Sequence, residues 1–282
     1  MPSLITPGLR VDGTTQLGYR SVSIPDRITP DTSLPPPIVA IAPTPQTQIL
    51  RGLTILADRV TIRGLSVYGF QGRDRETASL PPADIWIGDR LPTRHRPPSK
   101  TLPPEGVVIE QNWLGIAPTG VAPNPASAFG VWITRGRGTQ IRGNRIAAHQ
   151  SSGIFTLAEA ENLQISANLI EGNGFTGMPD AIRLEGQIQN TAISGNLIRG
   201  NAGSAIYLFK PVGAVDIHHN QITGNGKQGP TAAIYLMGND HRVMANEITD
   251  QSGAGVVVTA APPESPQPDS RQSLCTVGRA EY

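Results

Sequence analysis

Ala181-Ile-Arg-Leu184, Ala205-Ile-Tyr-Leu208 and Ala233-Ile-Tyr-Leu236 are copies of one tetrad, in which a small residue is followed by apolar, variable and apolar positions. The same tetrad occurs at Gly52-Leu-Thr-Ile55, Asp84-Ile-Trp-Ile87, Gly130-Val-Trp-Ile133, Gly153-Ile-Phe-Thr156 and Gly255-Val-Val-Val258. Its starts are separated by 32, 46, 23, 28, 24, 28 and 22 residues. A self-similar period of this size marks a repeat architecture.

Each repeat also carries a second phrase, an Ile or Val, then two residues, then Asn-x-Ile/Leu. It runs Val107 to Leu114, Thr139 to Ile146, Leu163 to Ile170, Thr191 to Ile198, Val215 to Ile222 and His241 to Ile248. Val60 to Val67 follows it with Leu65 in the Asn position. Alternating apolar residues broken by Gly and Asn give three short strands per repeat, and no stretch has a helical period. One such unit cannot bury its own apolar face, but stacked units do. The expected fold is all-β, a right-handed parallel β-helix of about seven to eight coils, with Ile182, Ile206 and Ile234 in one interior column and Ile165, Ile193 and Ile217 in another.

The column Asn112, Asn144, Asn168, Asn196, Asn220, Asn246 reads as a structural ladder at a sharp turn, where Asn tolerates left-handed geometry and its amides bond from coil to coil. Residues 1–48 are expected to form a cap or irregular first coil, residues 49–258 the solenoid with long surface loops at 88–106 and 115–129, and residues 259–282 a Pro-rich tail, disordered or the start of a further piece.

Composition agrees with a turn-rich β protein. Gly 31 and Pro 26 make up about a fifth of 282 residues, against a helical bundle. A net charge of +1 with 16% charged residues gives neither a nucleic-acid-binding surface nor a polybasic membrane binder. The single cysteine, Cys275, excludes a disulfide framework within the chain. The first residues lack the pattern of a signal peptide, and no apolar run is long enough for a membrane span.

The segments Asp12-Gly-Thr-Thr-Gln-Leu-Gly-Tyr19, Val60-Thr-Ile-Arg-Gly-Leu-Ser-Val67 and Asn112-Trp-Leu-Gly-Ile-Ala-Pro-Thr-Gly120 resemble, in order and wording, secreted or surface-anchored bacterial β-helix repeat proteins. These include members carrying a CSLREA motif, which this chain lacks. The wider pectate-lyase-like fold includes lyases, polygalacturonases and epimerases. The resemblance implies export, an extracellular or cell-surface location, and a polysaccharide or surface partner.

If the second and fourth tetrad residues point inward, the third points out. That column reads Thr54, Trp86, Trp132, Phe155, Arg183, Tyr207, Tyr235, Val257, aromatic at five of eight positions in a chain that is 5% aromatic. Trp86, Trp132, Phe155, Arg183, Tyr207 and Tyr235 are the candidate binding residues. Two readings stay open: a platform for sugar rings or a partner, and an external ladder of stacked rings covered by the second-coil loops. A register slip making Leu157 inward would also take Phe155 inside.

Asp180, Arg183, Glu185 and Lys210 are the catalytic candidates, where pectin-active enzymes keep acids, bases and calcium ligands. They lack the dense carboxylate pairing that hydrolysis needs, so the leading expectation is a non-catalytic carbohydrate-binding or surface-binding domain. The alternative is a lyase, hydrolase or epimerase on acidic polysaccharide. Asp216, His218 and Arg242, with Ser194 one coil earlier, are too few for a metal site. The basic segment Arg90, Arg94, His95, Arg96, Lys100 could meet an acidic polysaccharide. No cofactor or metal is expected; calcium is conceivable only by analogy.

Overall fold

A computed structural model describes residues 3–72, 82–89 and 102–260. The described strands form three wholly parallel sheets. The first has nine strands, from Ser3–Leu4 to Val256–Thr259. The second has eight, from Arg10–Asp12 to Arg242–Met244, and the third has eight, from Val39–Ile41 to Glu247–Thr249. The chain visits them in rotation, one strand each, so within the sheets every coil hydrogen-bonds only to the coils above and below. Residues 3–41 already make a complete coil, paired with strands Arg51–Ile55, Thr61–Arg63 and Leu65–Val67 of the second.

Register follows the tetrads. Ile154, Ile182, Ile206 and Ile234 are consecutive partners in the first sheet, and Ile141, Ile165, Ile193 and Ile217 in the second. All are fully buried, in a single apolar core running from Leu53 to Leu236. Val256 and Val258, in register with Ile234 and Leu236, are exposed.

The Asn ladder is present, with a different division of labour from the one expected. The left-handed residue is the one before each Asn: Gln111, Gly143, Ala167, Gly195, His219 and Ala245 all have φ between 52° and 63°. The Asn supplies hydrogen bonds. Asn168 N–H and its side-chain amide both donate to Asn196 Oδ1, at 2.9 and 3.0 Å, while Asn196 donates to Ile165 O and Asn220 Oδ1, both at 2.9 Å. Leu65 stands at the Asn position of the second coil, and its backbone N–H donates to Asn112 Oδ1.

A second ladder lies five residues on. Asn173 N–H donates to Asn201 Oδ1 and Asn201 N–H to Asn225 Oδ1, again one residue after a left-handed glycine (Gly172, Gly200, Gly224). The fifth, sixth and seventh coils therefore turn two corners with the same device.

The first coil carries an insertion between its second and third strands. Residues 20–35 run lengthwise over the corner between the second and third sheets. Gln111 of the third coil donates to Val22 O at 2.6 Å, Ile24 packs over Gly143 of the fourth, and Ile28 packs on Ala167 of the fifth. Ile28 N–H donates to Gly195 O of the sixth at 2.8 Å, and Thr29 and Pro30 face His219 of the seventh. The absence of a Cβ at Gly143 and Gly195 leaves room for this strap: a Cβ there would lie 2.8 Å from Ile24 and 2.3 Å from Asp26 O.

The 115–129 loop is exposed at its middle, while Ile116 and residues 127–129 at its ends are buried. Ser127 Oγ accepts from the Gly69 and Phe70 amides, which pins the loop's return limb across the first sheet. The segment from Arg90 to Lys100 and the chain after Ala260, including Cys275, lie outside the described residues.

Candidate ligand-binding face

The outward column is in register throughout, with Thr54, Trp86, Trp132, Phe155, Arg183, Tyr207, Tyr235 and Val257 as successive partners. Phe155 stays in it, because Ile154 and Thr156 on either side point inward and Leu157 points out.

Its upper part is covered. Trp86 and Phe155 are each 1% exposed. Phe129, from the return limb of the 115–129 loop, meets Trp132 edge-on at 4.7 Å, and Trp132 lies 4.4 Å from Phe155. Ala83 and Ala128 complete this second apolar cluster outside the solenoid. Trp86 donates its indole N–H to Thr134 Oγ1 at 2.9 Å and is overlaid by Arg51. These aromatics bind the loop to the barrel wall, leaving Trp86 and Phe155 no surface to offer a ligand.

The lower part is open. Tyr207 and Tyr235 stack with centroids 4.7 Å apart and planes 9° from parallel, the separation imposed by strand spacing. Arg183 lies over Tyr207 at 4.7 Å and over Phe209 at 4.9 Å. Ring faces are thus spent largely on one another, which is the ladder arrangement; edges and phenolic groups are left for a ligand. Arg183, Tyr207 and Tyr235 line a groove of about 510 Å³ with Asp180, Pro230, Thr231 and Val257.

Arg183 also donates to Glu185 Oε1 at 2.7 Å and to Asp180 Oδ2 at 3.3 Å. Asp180 Oδ1 accepts from the Ser204 amide at 3.1 Å. Burial pushes the Asp180 carboxyl above its ordinary range, against the Ser204 amide and Arg183. Burial likewise raises the Tyr207 phenol. Thr231 Oγ1, in the same groove, is buried without a partner. Lys210 sits left-handed at a β-bulge with its ammonium over Phe209, on the far side of Glu185 from Asp180 in sequence register.

The other polar candidates do not gather into a site. Ser194 and His218 are register partners, but His218 Nδ1 meets His219 Nδ1, and Asp216 pairs loosely with Arg242 at 3.7 Å. Among the described residues no three His, Cys, Asp or Glu converge as metal ligands, and no helix is long and apolar enough to cross a membrane.

Residues 120–242 match the family model described as the right handed beta helix region. The chain is a right-handed parallel β-helix. Among solved structures, this β-helix aligns with the A-module of mannuronan C-5 epimerase AlgE6 from Azotobacter vinelandii at 17% identity and TM-score 0.40, covering 76% of the chain and 49% of the module. It aligns with the enzymatically active domain of tailspike protein 2 of bacteriophage CBA120 at 13% and 0.45, covering 78% and 34%. For the Streptococcus pneumoniae surface protein and adhesin PfbA the figures are 10% and 0.46, covering 78% and 68%. The chain spans about half the length of the epimerase module and about a third of the tailspike domain. No curated protein matches the sequence.

One buried constellation escaped the sequence reading. His149 occupies the second ladder's Asn position in the fourth coil, and Asp84 occupies a position that is Gly or Ala in every other tetrad. The two departures meet: His149 Nε2 lies 2.9 Å from Asp84 Oδ2, with both side chains fully buried. Asn173 gives its amide hydrogens to Ile146 O and Asn201 Oδ1, so its Oδ1 is the acceptor facing His149 Nδ1 at 2.8 Å. Nδ1 therefore carries a proton, and the contact between Nε2 and Oδ2 holds one more, leaving the pair neutral overall.

Burial, opposed by His149, pushes the Asp84 carboxyl above the ordinary range. A raised folded value means that this stabilisation is complete below the unfolded value of 3.8 and declines as pH rises through the folded one. Asp84→Asn, which cannot ionise, is expected to flatten the fall in denaturant midpoint from about pH 4 upward. Equal slopes for the variant and the parent would count against the assignment.

Proposed function

We propose that the open half of the outward column, Asp180, Arg183, Tyr207 and Tyr235, binds an extended carbohydrate chain without chemical turnover, and that the domain works outside the cell or at its surface. The observation carrying this is the partly exposed Arg183–Tyr207–Tyr235 stack bordering a groove in which phenols and the Asp180–Arg183 pair stand beside aromatic edges. Sugars offer the complementary mixture of hydroxyls and C–H faces. Affinity should lie nearer micromolar to millimolar than nanomolar, because each ring contact adds on the order of 1 kcal/mol and the glycan loses rotational freedom.

The test is a glycan array followed by titration with the best-retained glycan. Tyr207→Phe combined with Tyr235→Phe keeps the stack and removes both phenols, so binding should weaken about fivefold or more at unchanged melting temperature. Retention of no glycan by the parent protein would remove the proposal.

The enzymatic alternative draws on the raised Asp180 carboxyl. Against it, Arg183 holds both Asp180 and Glu185, and Lys210 is turned onto Phe209. No unsaturated or reducing-end product is expected from uronic-acid polymers, with or without calcium. Turnover abolished by Arg183→Ala or Glu185→Gln would establish the enzyme instead.

A further inference from the structure

The outward face of the third sheet, away from the aromatic column of the first, carries a cleft of about 530 Å³. Ala147, Glu171, Arg199 and Thr223 are successive register partners along it. Glu171 is shared between two guanidinium groups: its Oε1 accepts from Arg145 Nε at 2.8 Å, and its Oε2 from Arg199 Nε and Nη2 at 2.9 and 2.7 Å. That triad keeps one positive charge. Lys227 adds a second, because it lines the same cleft and, among the described residues, its ammonium has neither an ion pair nor a hydrogen bond.

The free donors gather at one end. Glu171 leaves Arg199 Nη1 unused. Thr223, one strand spacing of about 4.8 Å further on, accepts from Thr249 Oγ1 at 2.9 Å, so its own hydroxyl hydrogen is available to donate. The Lys227 ammonium lies 3.6 Å from the point where a Cβ on the adjoining Gly224 would stand. The remainder of the lining is small and apolar, with Ala147 and Ala148 on one side and Gly172 and Gly200 beneath, where a Cβ would meet only open space. The amides of Gly172, Gly200 and Gly224 are spent on carbonyls of the next coil, so side chains alone supply the donors.

We propose that this cleft binds a sugar phosphate, with the phosphoryl oxygens on Arg199, Thr223 and Lys227 and the sugar ring over Gly172 and Gly200. Three cationic side chains against one carboxylate leave the lining at +2. A phosphate monoester carries about −1.5 to −2 at neutral pH and matches that charge, whereas a sulfate ester or a carboxylate carries a single charge. The site is separate from the aromatic groove and does not depend on glycan binding there.

The probes are glucose 6-phosphate, glucose 6-sulfate, glucose and inorganic phosphate, each titrated into the full chain by calorimetry and followed in proton–nitrogen spectra. Glucose 6-phosphate is expected to bind saturably, to shift the Thr223 and Gly224 amides while leaving the Tyr235 amide in place, and to bind about fivefold tighter than the sulfate. Inorganic phosphate should bind more weakly than glucose 6-phosphate, and glucose should not bind. Lys227→Gln and Thr223→Val should each weaken glucose 6-phosphate about fivefold, the worth of one charge-assisted hydrogen bond at a solvent-screened site. Lys227 is exposed, so its replacement leaves the fold intact. Absence of saturable binding, equal affinity for phosphate and sulfate esters, or a Lys227→Gln variant that binds undiminished overturns the proposal. Inorganic phosphate binding as tightly as glucose 6-phosphate overturns it as well, since the ring would then contribute nothing.

Discussion

Replacing Asn196 by alanine is expected to cost the fold about 3–6 kcal/mol, enough to remove much of the stability of an ordinary domain. The cost comes from groups left behind. Asn168 loses the acceptor for its backbone N–H and for one side-chain hydrogen, and Ile165 O loses its donor, all at fully buried positions. Each such orphan costs about 1–3 kcal/mol. Asn196→Asp, which keeps the acceptor but loses both donated bonds and introduces a buried charge, should fare no better at neutral pH. The measurement is the urea midpoint; a change under about 1 kcal/mol would mean that the ladder is not integral to the corner.

Ile206→Ala is expected to cost about 2–5 kcal/mol. Ile206 is fully buried between its register partners Ile182 and Ile234, on strands fixed by hydrogen bonds to both sides. The walls of the resulting cavity cannot close without breaking those ladders. Position along the stack should grade the effect. Val258, 69% exposed at the open end of the Leu208–Leu236 column, should lose under about 0.5 kcal/mol on the same truncation. Equal losses at the two positions would contradict the burial gradient.

The coil plan was legible because a solenoid writes its packing into the sequence once per turn. The Ile columns and the first Asn column needed only alignment of the repeats, and Phe155 was placed by its neighbours. Three features were less accessible, each for a physical reason. The second ladder carries its signal at a spacing of five, as in Asn168 to Asn173 and Asn196 to Asn201, but it includes His149 in place of Asn and so breaks the pattern where it matters. The Asp84–His149 pair joins residues 65 apart, brought together by a corner and a loop insertion. At the candidate face, the tetrads gave the direction of Trp86 and Tyr207 alike. What distinguishes them is Phe129 and its loop, a long-range covering that no local period records. Alternation also could not tell that Tyr207 and Tyr235 would turn their faces to each other.

A stack of coils that touch only their neighbours has no reason to unfold all at once; its ends can fray one turn at a time, and its stability is nearly a sum of local terms. The strap alters that arithmetic. By anchoring residues 20–35 on Gln111, Gly143 and Gly195, it makes the first coil a direct neighbour of the third, fourth and sixth. The first coil cannot then peel away unless the whole strap lifts, so loss of the N-terminal turn is coupled to exposure of a corner five coils further along. Folding carries the converse cost. The strap has no complete surface to dock on until the sixth coil has formed, so the first coil in sequence is among the last to be secured, and such non-local closure slows folding. Unfolding at this end should therefore be cooperative over several coils, and hydrogen exchange of the strand amides of the first coil should track that of the corner at Gly195.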